Sequence, residues 1–187
     1  MDAIEQGLLD RARQGDRRAM EEIIVRYERP VAATVTGILG FSPEVDDIGQ
    51  ETFVRFFRAM DRFRGDSRIG TYIIRIAINL SRTELKRRKR FAAWPETEFS
   101  DGENVVPRPG RSPEDDGDAK SLVREGLQKL EPKFRTVVVL RLISGYSTQE
   151  TAKILRLPQG TVLSRLSRGQ AKLREIIEEL SCRQNGN

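Results

Sequence analysis

Histidine is absent from the 187 residues, and cysteine occurs once, as Cys182. A single thiol cannot make an internal disulfide, and without a histidine or cysteine cluster there is no zinc or iron–sulfur centre to expect, nor any other cofactor. The same shortage empties the catalytic inventory. With no imidazole, a lone cysteine close to the chain end and no Gly-rich phosphate loop, the residues offer no constellation for acid–base or covalent chemistry, so no enzyme is expected. Apolar runs of about 18 residues are missing, and Met1–Gly15 is charged throughout, which argues against membrane insertion and a secretory leader and for a cytoplasmic protein. Strand-like alternation is missing too: apolar residues recur at helical spacing almost everywhere, and the expected fold class is all-α.

The charge that is present is unevenly placed. Lys and Arg number 33 against 28 Asp and Glu, a modest net +5. Between Arg55 and Arg90, however, twelve basic residues face three acidic ones, whereas between Phe91 and Lys120 three basic residues face eight acidic ones. The acidic stretch also gathers Pro95, Pro107, Pro109, Pro113, Gly102, Gly110 and Gly117, a composition too polar to repay the entropy of ordering. It reads as a flexible linker, residues 92–117, between two small helical domains, 1–91 and 118–187.

In the first domain a short helix near Ile4–Arg13 precedes Asp16, a good N-cap for a helix carrying Met20, Ile23, Ile24 and Tyr27 on one side. Pro30 is expected to kink or restart that helix. Ser42-Pro43-Glu44 marks the next start, with Pro at the first position and an acid near the positive helix end. Along this helix Phe53, Phe56, Phe57 and Met60 form the apolar face, and Asp47, Gln50, Glu51, Val54, Arg55 and Arg58 a polar one. Ser67 can cap a further helix through Ile73, Ile76, Ala77 and Leu80 into the run Lys86-Arg87-Arg88-Lys89-Arg90.

The second domain starts near Asp118, breaks at Glu131-Pro132, and offers Phe134, Val137, Val138, Leu140 and Leu142 as core before Gly145. The sequence Ser147-Thr-Gln-Glu150 is a capping box. Ala152 is small enough for another helix to approach, Ile154, Leu155 and Leu157 face inward, and Pro158 opens the next helix. There Val162, Leu166, Gly169 and Leu173 recur at intervals of four, three and four, which is a buried stripe. Gln159, Thr161, Leu163, Ser164, Ser167, Arg168 and Lys172 are left outside. Amide, hydroxyl and cationic groups on one helix face suit a major groove: Thr161 and the first amides can hold phosphate, and Ser164 and Arg168 can reach base edges. The result is a helix-turn-helix that binds DNA. Its turn carries Arg156 where a left-handed backbone would favour Gly, so the turn is expected to differ slightly.

The stretch "LEPKFRTVVVLRLISGYSTQETAKILRLPQGTVLSRLSRGQAKLRE" resembles the promoter-binding C-terminal domain of bacterial RNA polymerase sigma factors of the extracytoplasmic-function group. "DDIGQETFVRFFRAMDRFRGDS" and "TYIIRIAINLSRTELKRRKR" are similar, in content and order, to the core-polymerase-binding and promoter-melting helices of the same family. The resemblance implies an initiation factor that binds core RNA polymerase and promoter DNA and holds melted DNA open. Asp47, Gln50 and Glu51, with Arg55 beside them, would dock on the clamp helices of the largest polymerase subunit; an intrahelical network of Asp47 and Glu51 with Arg55 is the plainer reading. Phe63, Arg64, Ile69, Arg75 and Asn79 would build a pocket for a flipped non-template base, and Lys86, Arg87 and Arg88 would contact phosphates upstream. The plainer reading makes Phe63 a core residue and Asn79 a solvated amide.

In the family the linker lies in the RNA-exit path, and an anti-sigma protein wedged between the domains is the usual regulator. Thirty flexible residues would span on the order of 30 Å. Departures from the common pattern are Tyr72 for Trp, Gly70 for Arg, and Leu163 at a position often basic. Leu163 cannot contact phosphate but can touch a thymine methyl. The alternative is a helix-turn-helix activator that works without being a polymerase subunit, although no phosphoacceptor receiver pattern is present.

Overall fold

A computed structural model describes residues 3–65, 67–92 and 118–185; the linker assigned to 92–117 lies almost wholly outside them. All regular structure among the described residues is helical. The chain runs α1 (Ala3–Arg13), α2 (Arg17–Leu39), α3 (Glu44–Ala59) with a 3₁₀ turn at Met60–Arg62, and α4 (Ile69–Ala92). After the linker come α5 (Asp118–Lys129), α6 (Pro132–Val138), α7 (Thr148–Leu155) and α8 (Gln159–Asn185).

Asp16 caps α2 as expected, its carboxylate accepting from the amides of Arg18 at 2.9 Å and Ala19 at 3.3 Å. That helix continues through Pro30 instead of restarting. Ile23, Val31, Val35 and Ile38, all essentially without exposure, pin both halves of it to the core, which outweighs the one missing donor. Against them pack Phe53 and Phe56 from α3, Met60 from the 3₁₀ turn, and Ile69, Ile73, Ile74, Ala77 and Ile78 from α4. Gly70 has a local reason: a Cβ there would sit 2.7 Å from the Tyr27 ring, whose hydroxyl donates to the Glu5 carboxylate at 2.9 Å and so ties α1 to α2.

In the second half Phe134, Leu127, Leu130 and Val138 make one small core, and Val137, Ala152 and Val162 another. Gly169 lets α8 lie on α6, since a Cβ there would come within 2.9 Å of a Val138 methyl and 3.3 Å of the Phe134 Cβ. One expectation fails here. Leu142, read as core, is 53% exposed, because the helix after Val138 widens into a π turn at Val139–Ile143, with the Ser144 amide donating to the Val139 carbonyl. The extra residue in that turn rotates the following side chains out of register.

The expected two domains are both recognisable, yet their cores are not separate. Leu140 and Ile154, from the second half, are buried in the cluster formed by α2, α3 and α4, with Tyr146 and Leu155 packed on its edge.

Candidate nucleic-acid interface

The helix-turn-helix is built as its sequence dictates. Ser147 Oγ accepts from the Glu150 amide at 3.1 Å, and the Glu150 carboxylate accepts from the Ser147 amide at 2.9 Å, which closes the capping box. That backbone bond, with the Ser147 hydroxyl, holds the Glu150 carboxyl below the usual range. At the other end of α7, Arg156 takes the left-handed conformation itself, φ 53° and ψ 48°. The turn is therefore of the ordinary kind, at about 1 kcal/mol of backbone strain that Gly would avoid. Pro158 then accepts from the amides of Thr161 and Val162 and starts α8.

Of the outer face of α8, Gln159, Leu163, Ser164, Ser167 and Arg168 are exposed and Thr161 is half-buried. Leu163 stands out at 53% exposure among hydroxyl and cationic neighbours, an apolar side chain in the middle of a polar face. Ser164 turns its hydroxyl back to the Thr161 carbonyl at 3.1 Å, a weak bond that a base edge can replace. Lys172 is committed elsewhere: it pairs with Glu131 at 2.6 Å and lies over the Phe134 ring, and Lys133 first and then Lys172 lower the Glu131 carboxyl to about 2. Lys172 thus ties α8 to the start of α6.

The structure distributes the residues of the expected melting element between core and surface. Phe63 and Ile69 are buried and support the surface from beneath. Arg13 holds the backbone there, donating to the Met60 carbonyl at 2.9 and 3.1 Å and to that of Phe63. Arg64 and Asn79 are exposed. Arg75 is not free: it donates to the carbonyl of Ile154 at 3.2 Å and to that of Lys153. Burial, and then the charge of Arg156, push its guanidinium below the usual range.

Within the basic run, Lys86, Lys89 and Arg90 are exposed. Arg87 forks onto Glu84 at 2.7 and 2.8 Å. Arg88 bridges Glu84 at 3.0 Å, Glu44 at 2.9 Å, the Ser42 hydroxyl at 2.7 Å and the Leu39 carbonyl at 3.3 Å. It locks α4 to the junction of α2 and α3. Of this run, Lys86, Lys89 and Arg90 are the exposed cations without an ion-pair partner among the described residues.

On α3 the polar face is presented outward. Asp47, Gln50, Val54, Arg55 and Arg58 are exposed, and Glu51 pairs with Arg55 at 2.7 Å. The intrahelical alternative is thus realised for Glu51 but not for Asp47, which has no ion-pair partner among the described residues.

Two arginines escaped the reading of the sequence. Arg82, seven residues beyond Arg75 and so on the same face of α4, is half-buried with its guanidinium pushed down by burial and by Arg165. Arg135 is buried against main-chain carbonyls. Helical spacing from Arg75 signals the first; nothing local signals the second, because most of its acceptors are main-chain carbonyls, one of them Ile38 far away in the chain. Among the described residues no group of acidic, histidine or cysteine side chains could hold a metal, and no helix is long and apolar enough to cross a membrane.

Comparison with known proteins shows the family. Residues 23–91 match the family model for sigma-70 region 2, and residues 120–173 that for sigma-70 region 4. The chain is 29% identical over 184 residues to the RNA polymerase sigma-H factor of Pseudomonas aeruginosa, spanning 94% of this chain and 95% of that one. It is 30% identical over 183 residues to the ECF RNA polymerase sigma-E factor of Escherichia coli K12 and to that of Salmonella typhimurium, at the same coverage, 94% and 95%. Among solved structures it resembles CnrH in complex with the cytosolic domain of CnrY, with TM-score 0.70, 25% identity, and coverage of 94% of this chain and 97% of that one. The fold is also that of RpoE from Bartonella quintana, solved with the anti-sigma factor NepR, at TM-score 0.65 and 20% identity, covering 84% and 96% of the two chains.

Proposed function

The chain belongs to the extracytoplasmic-function group of RNA polymerase sigma factors, and on that premise we propose how its surfaces divide the work. It is a transcription initiation factor without catalytic chemistry of its own, and its partners are core RNA polymerase and promoter DNA. The chemistry of nucleotide transfer is the polymerase's.

Residues 1–91 grip polymerase and hold melted DNA, residues 118–187 find the promoter in duplex form, and residues 92–117 tether the two. Asp47 and Gln50, with Glu51 and Arg55 alongside, make the polymerase contact on α3. Arg64, Arg75 and Asn79 face the separated strand, with Phe63 and Ile69 as the wall behind them. Lys86 contacts phosphate together with its neighbours Lys89 and Arg90; Arg87 and Arg88 steady the helix that carries them. On α8, Arg168 and Ser164 reach base edges, Gln159, Thr161 and Ser167 flank them, and Leu163 packs on a thymine methyl. Lys172 sets the helix on its domain. A cytoplasmic place of action and an anti-sigma regulator complete the proposal; CnrH, similar over 94% of this chain, is seen with the cytosolic domain of CnrY.

The observation that supports this division most directly is the outer face of α8: exposed amide, hydroxyl, cationic and apolar groups above a buried Val162. An activator acting without polymerase would leave the outward polar face of α3 without a role.

The test is transcription by core polymerase from fragmented genomic DNA, with and without the chain. New start sites and co-elution with core enzyme are expected; a protein that neither co-elutes nor creates starts overturns the reading. Arg168→Ala should reduce discrimination for the upstream element by about 1–3 kcal/mol while leaving core binding intact. Unchanged promoter choice removes Arg168 from the reading face.

A further inference from the structure

Between α3 and α4 the chain leaves the 3₁₀ turn at Met60–Arg62, passes through Phe63 in an extended conformation (φ −75°, ψ 110°), and turns at Gly65, where φ is 77°. Such a course has no repeating hydrogen-bond pattern to fix it, so side chains have to. Two of them hold it from opposite sides. The Phe63 ring packs on Tyr72 of α4, with centroids 4.9 Å apart. From α1, Arg13 donates through Nε and Nη2 to the Met60 carbonyl at 3.1 and 2.9 Å, and through Nη2 to the Phe63 carbonyl as well.

The last of these bonds reaches beyond Phe63. A peptide unit is planar, so a fixed Phe63 carbonyl also fixes the amide and the Cα of Arg64. Arg64 is exposed, and its side chain starts from that Cα. Arg13 thus sets where the exposed arginine of the loop points without touching it.

The ground under Arg13 is firm. Leu9 and Ala12 of α1 have no exposure, and Glu5 is tied to Tyr27 of α2. Asp10 accepts from Arg13 Nη1 at 3.3 Å and from the Gln6 amide at 3.0 and 3.1 Å. The guanidinium is therefore aimed by a carboxylate on one edge and spends its other edge on two carbonyls, a task for a rigid planar fork that an ammonium group cannot copy. All of α1 precedes residues 23–91, which match the region 2 model.

We propose that Arg13 is a positioning residue for promoter opening: from α1 it sets the peptide that carries Arg64, and with it the direction from which Arg64 meets the separated strand. The inference rests on the assignment of this loop to melted DNA. Arg13 itself touches neither DNA nor polymerase. Its loss weakens strand capture while docking through α3 and groove reading through α8 persist, whereas an arginine that only stabilised the fold would lower all three together.

The test is a pairwise cycle in the full-length chain with core polymerase, on a promoter fragment recovered from the genomic transcription assay. Wild type, Arg13→Ala, Arg64→Ala and the double variant are compared on the duplex and on the same fragment pre-opened by mismatches at the start region. On the duplex each single variant should give about tenfold fewer transcripts, the size of one lost charged hydrogen bond. The double variant should fall no more than about twofold below Arg64→Ala, because a residue that acts through another adds nothing once the other is gone. On the pre-opened fragment, where unpairing no longer has to be driven, Arg13→Ala should come within about twofold of wild type. Co-elution with core enzyme should be unchanged.

Wild-type transcription by Arg13→Ala, multiplying losses in the double variant, or an equal loss on both templates overturns the proposal. Undiminished transcription by Arg64→Ala from the duplex defeats instead the assignment of the loop to melted DNA. Two milder variants decide should Arg13→Ala fail to fold. Asp10→Ala removes only the carboxylate that aims the guanidinium, and Arg13→Lys keeps the charge without the fork. Both should transcribe the duplex less than wild type and add nothing to Arg64→Ala, and wild-type activity in both overturns the proposal.

Discussion

Replacing Arg135 by Ala sets two large effects against each other. Its side chain is 5% exposed, and burial pulls the guanidinium down to about 10, still a cation at neutral pH. Removing it relieves the desolvation of that charge, which favours the variant. Its acceptors are the carbonyls of Leu130 at 2.9 and 3.2 Å, Ile38 at 2.7 Å and Gln128, and the Gln128 side chain at 3.0 Å. No carboxylate is among them, so the partners left behind are neutral, three main-chain carbonyls and one side-chain amide oxygen, and each acceptor left without a donor costs about 1–3 kcal/mol. The orphaned acceptors, at about 1–3 kcal/mol each, outweigh the desolvation relief, and the expected net loss is about 3–5 kcal/mol.

With a urea dependence of about 2 kcal/mol per molar, a loss of that size lowers the unfolding midpoint of the full chain by about 2 M, followed by circular dichroism. Arg135→Lys keeps the charge but not the fork, and should fall between wild type and Ala. Gln128→Ala removes one acceptor and should cost about 1 kcal/mol or less. An Arg135→Ala midpoint within about 0.5 M of wild type would refute the reasoning, since it would mean the carbonyls find water without penalty.

Gly169→Ala gains about 1 kcal/mol of helix propensity but forces a methyl against Val138 and Phe134, so a net loss of about 0–2 kcal/mol is expected in thermal unfolding, and a stabilised variant would contradict the close helix approach. Ser147→Ala opens the capping box and should cost about 1 kcal/mol, seen as faster amide exchange in the first turn of α7 and not in α3. Arg156→Gly, relieving the left-handed residue, should raise stability by up to about 1 kcal/mol; a lower midpoint would show that the arginine side chain contributes more than its backbone costs. Acid should loosen the junction of α2, α3 and α4. Glu84 is held below the usual carboxylate range chiefly by Arg87 and then Arg88, and Glu44 chiefly by its own helix-start amide. Depressed folded-state values mean that their contribution is complete above the unfolded value of about 4.3 and fades as pH falls through the folded ones. The thermal midpoint should therefore drop below about pH 4.5, and Glu84→Gln should flatten that drop.

Local chemistry was legible wherever a rule acts within a few residues. The Asp16 cap, the Ser147–Glu150 box, the Val162–Gly169 stripe and the outward polar face of α3 all appear as the spacing dictates. What the sequence hides are contacts whose second partner is backbone from elsewhere in the chain. Arg75 and Arg88 read as members of a basic, DNA-facing series, because residue type and helical spacing say nothing of the helix ends that receive them. Leu142 was misplaced for a different reason: a π turn leaves no compositional mark, yet one extra residue in a turn redirects every side chain after it. The same blindness applies to Ile154, correctly read as inward-facing, although the core it enters is mainly that of the other half.

The recurring device is an arginine closing a helix end: Arg13 at the end of α3, Arg88 and Arg135 at the end of α2, Arg75 at the end of α7. Such contacts are directional and strong when formed, but each is a small set of bonds that water or phosphate can replace. Two of them cross between the halves of the chain: Arg75 closes α7 and Arg135 closes α2. The contact between the halves therefore joins directional bonds at helix ends to the burial of Leu140 and Ile154. Apolar burial alone is non-directional and would tolerate sliding, whereas a carbonyl at a helix end accepts well only from a donor near its lone pairs, so the arginines set the register in which the apolar side chains meet.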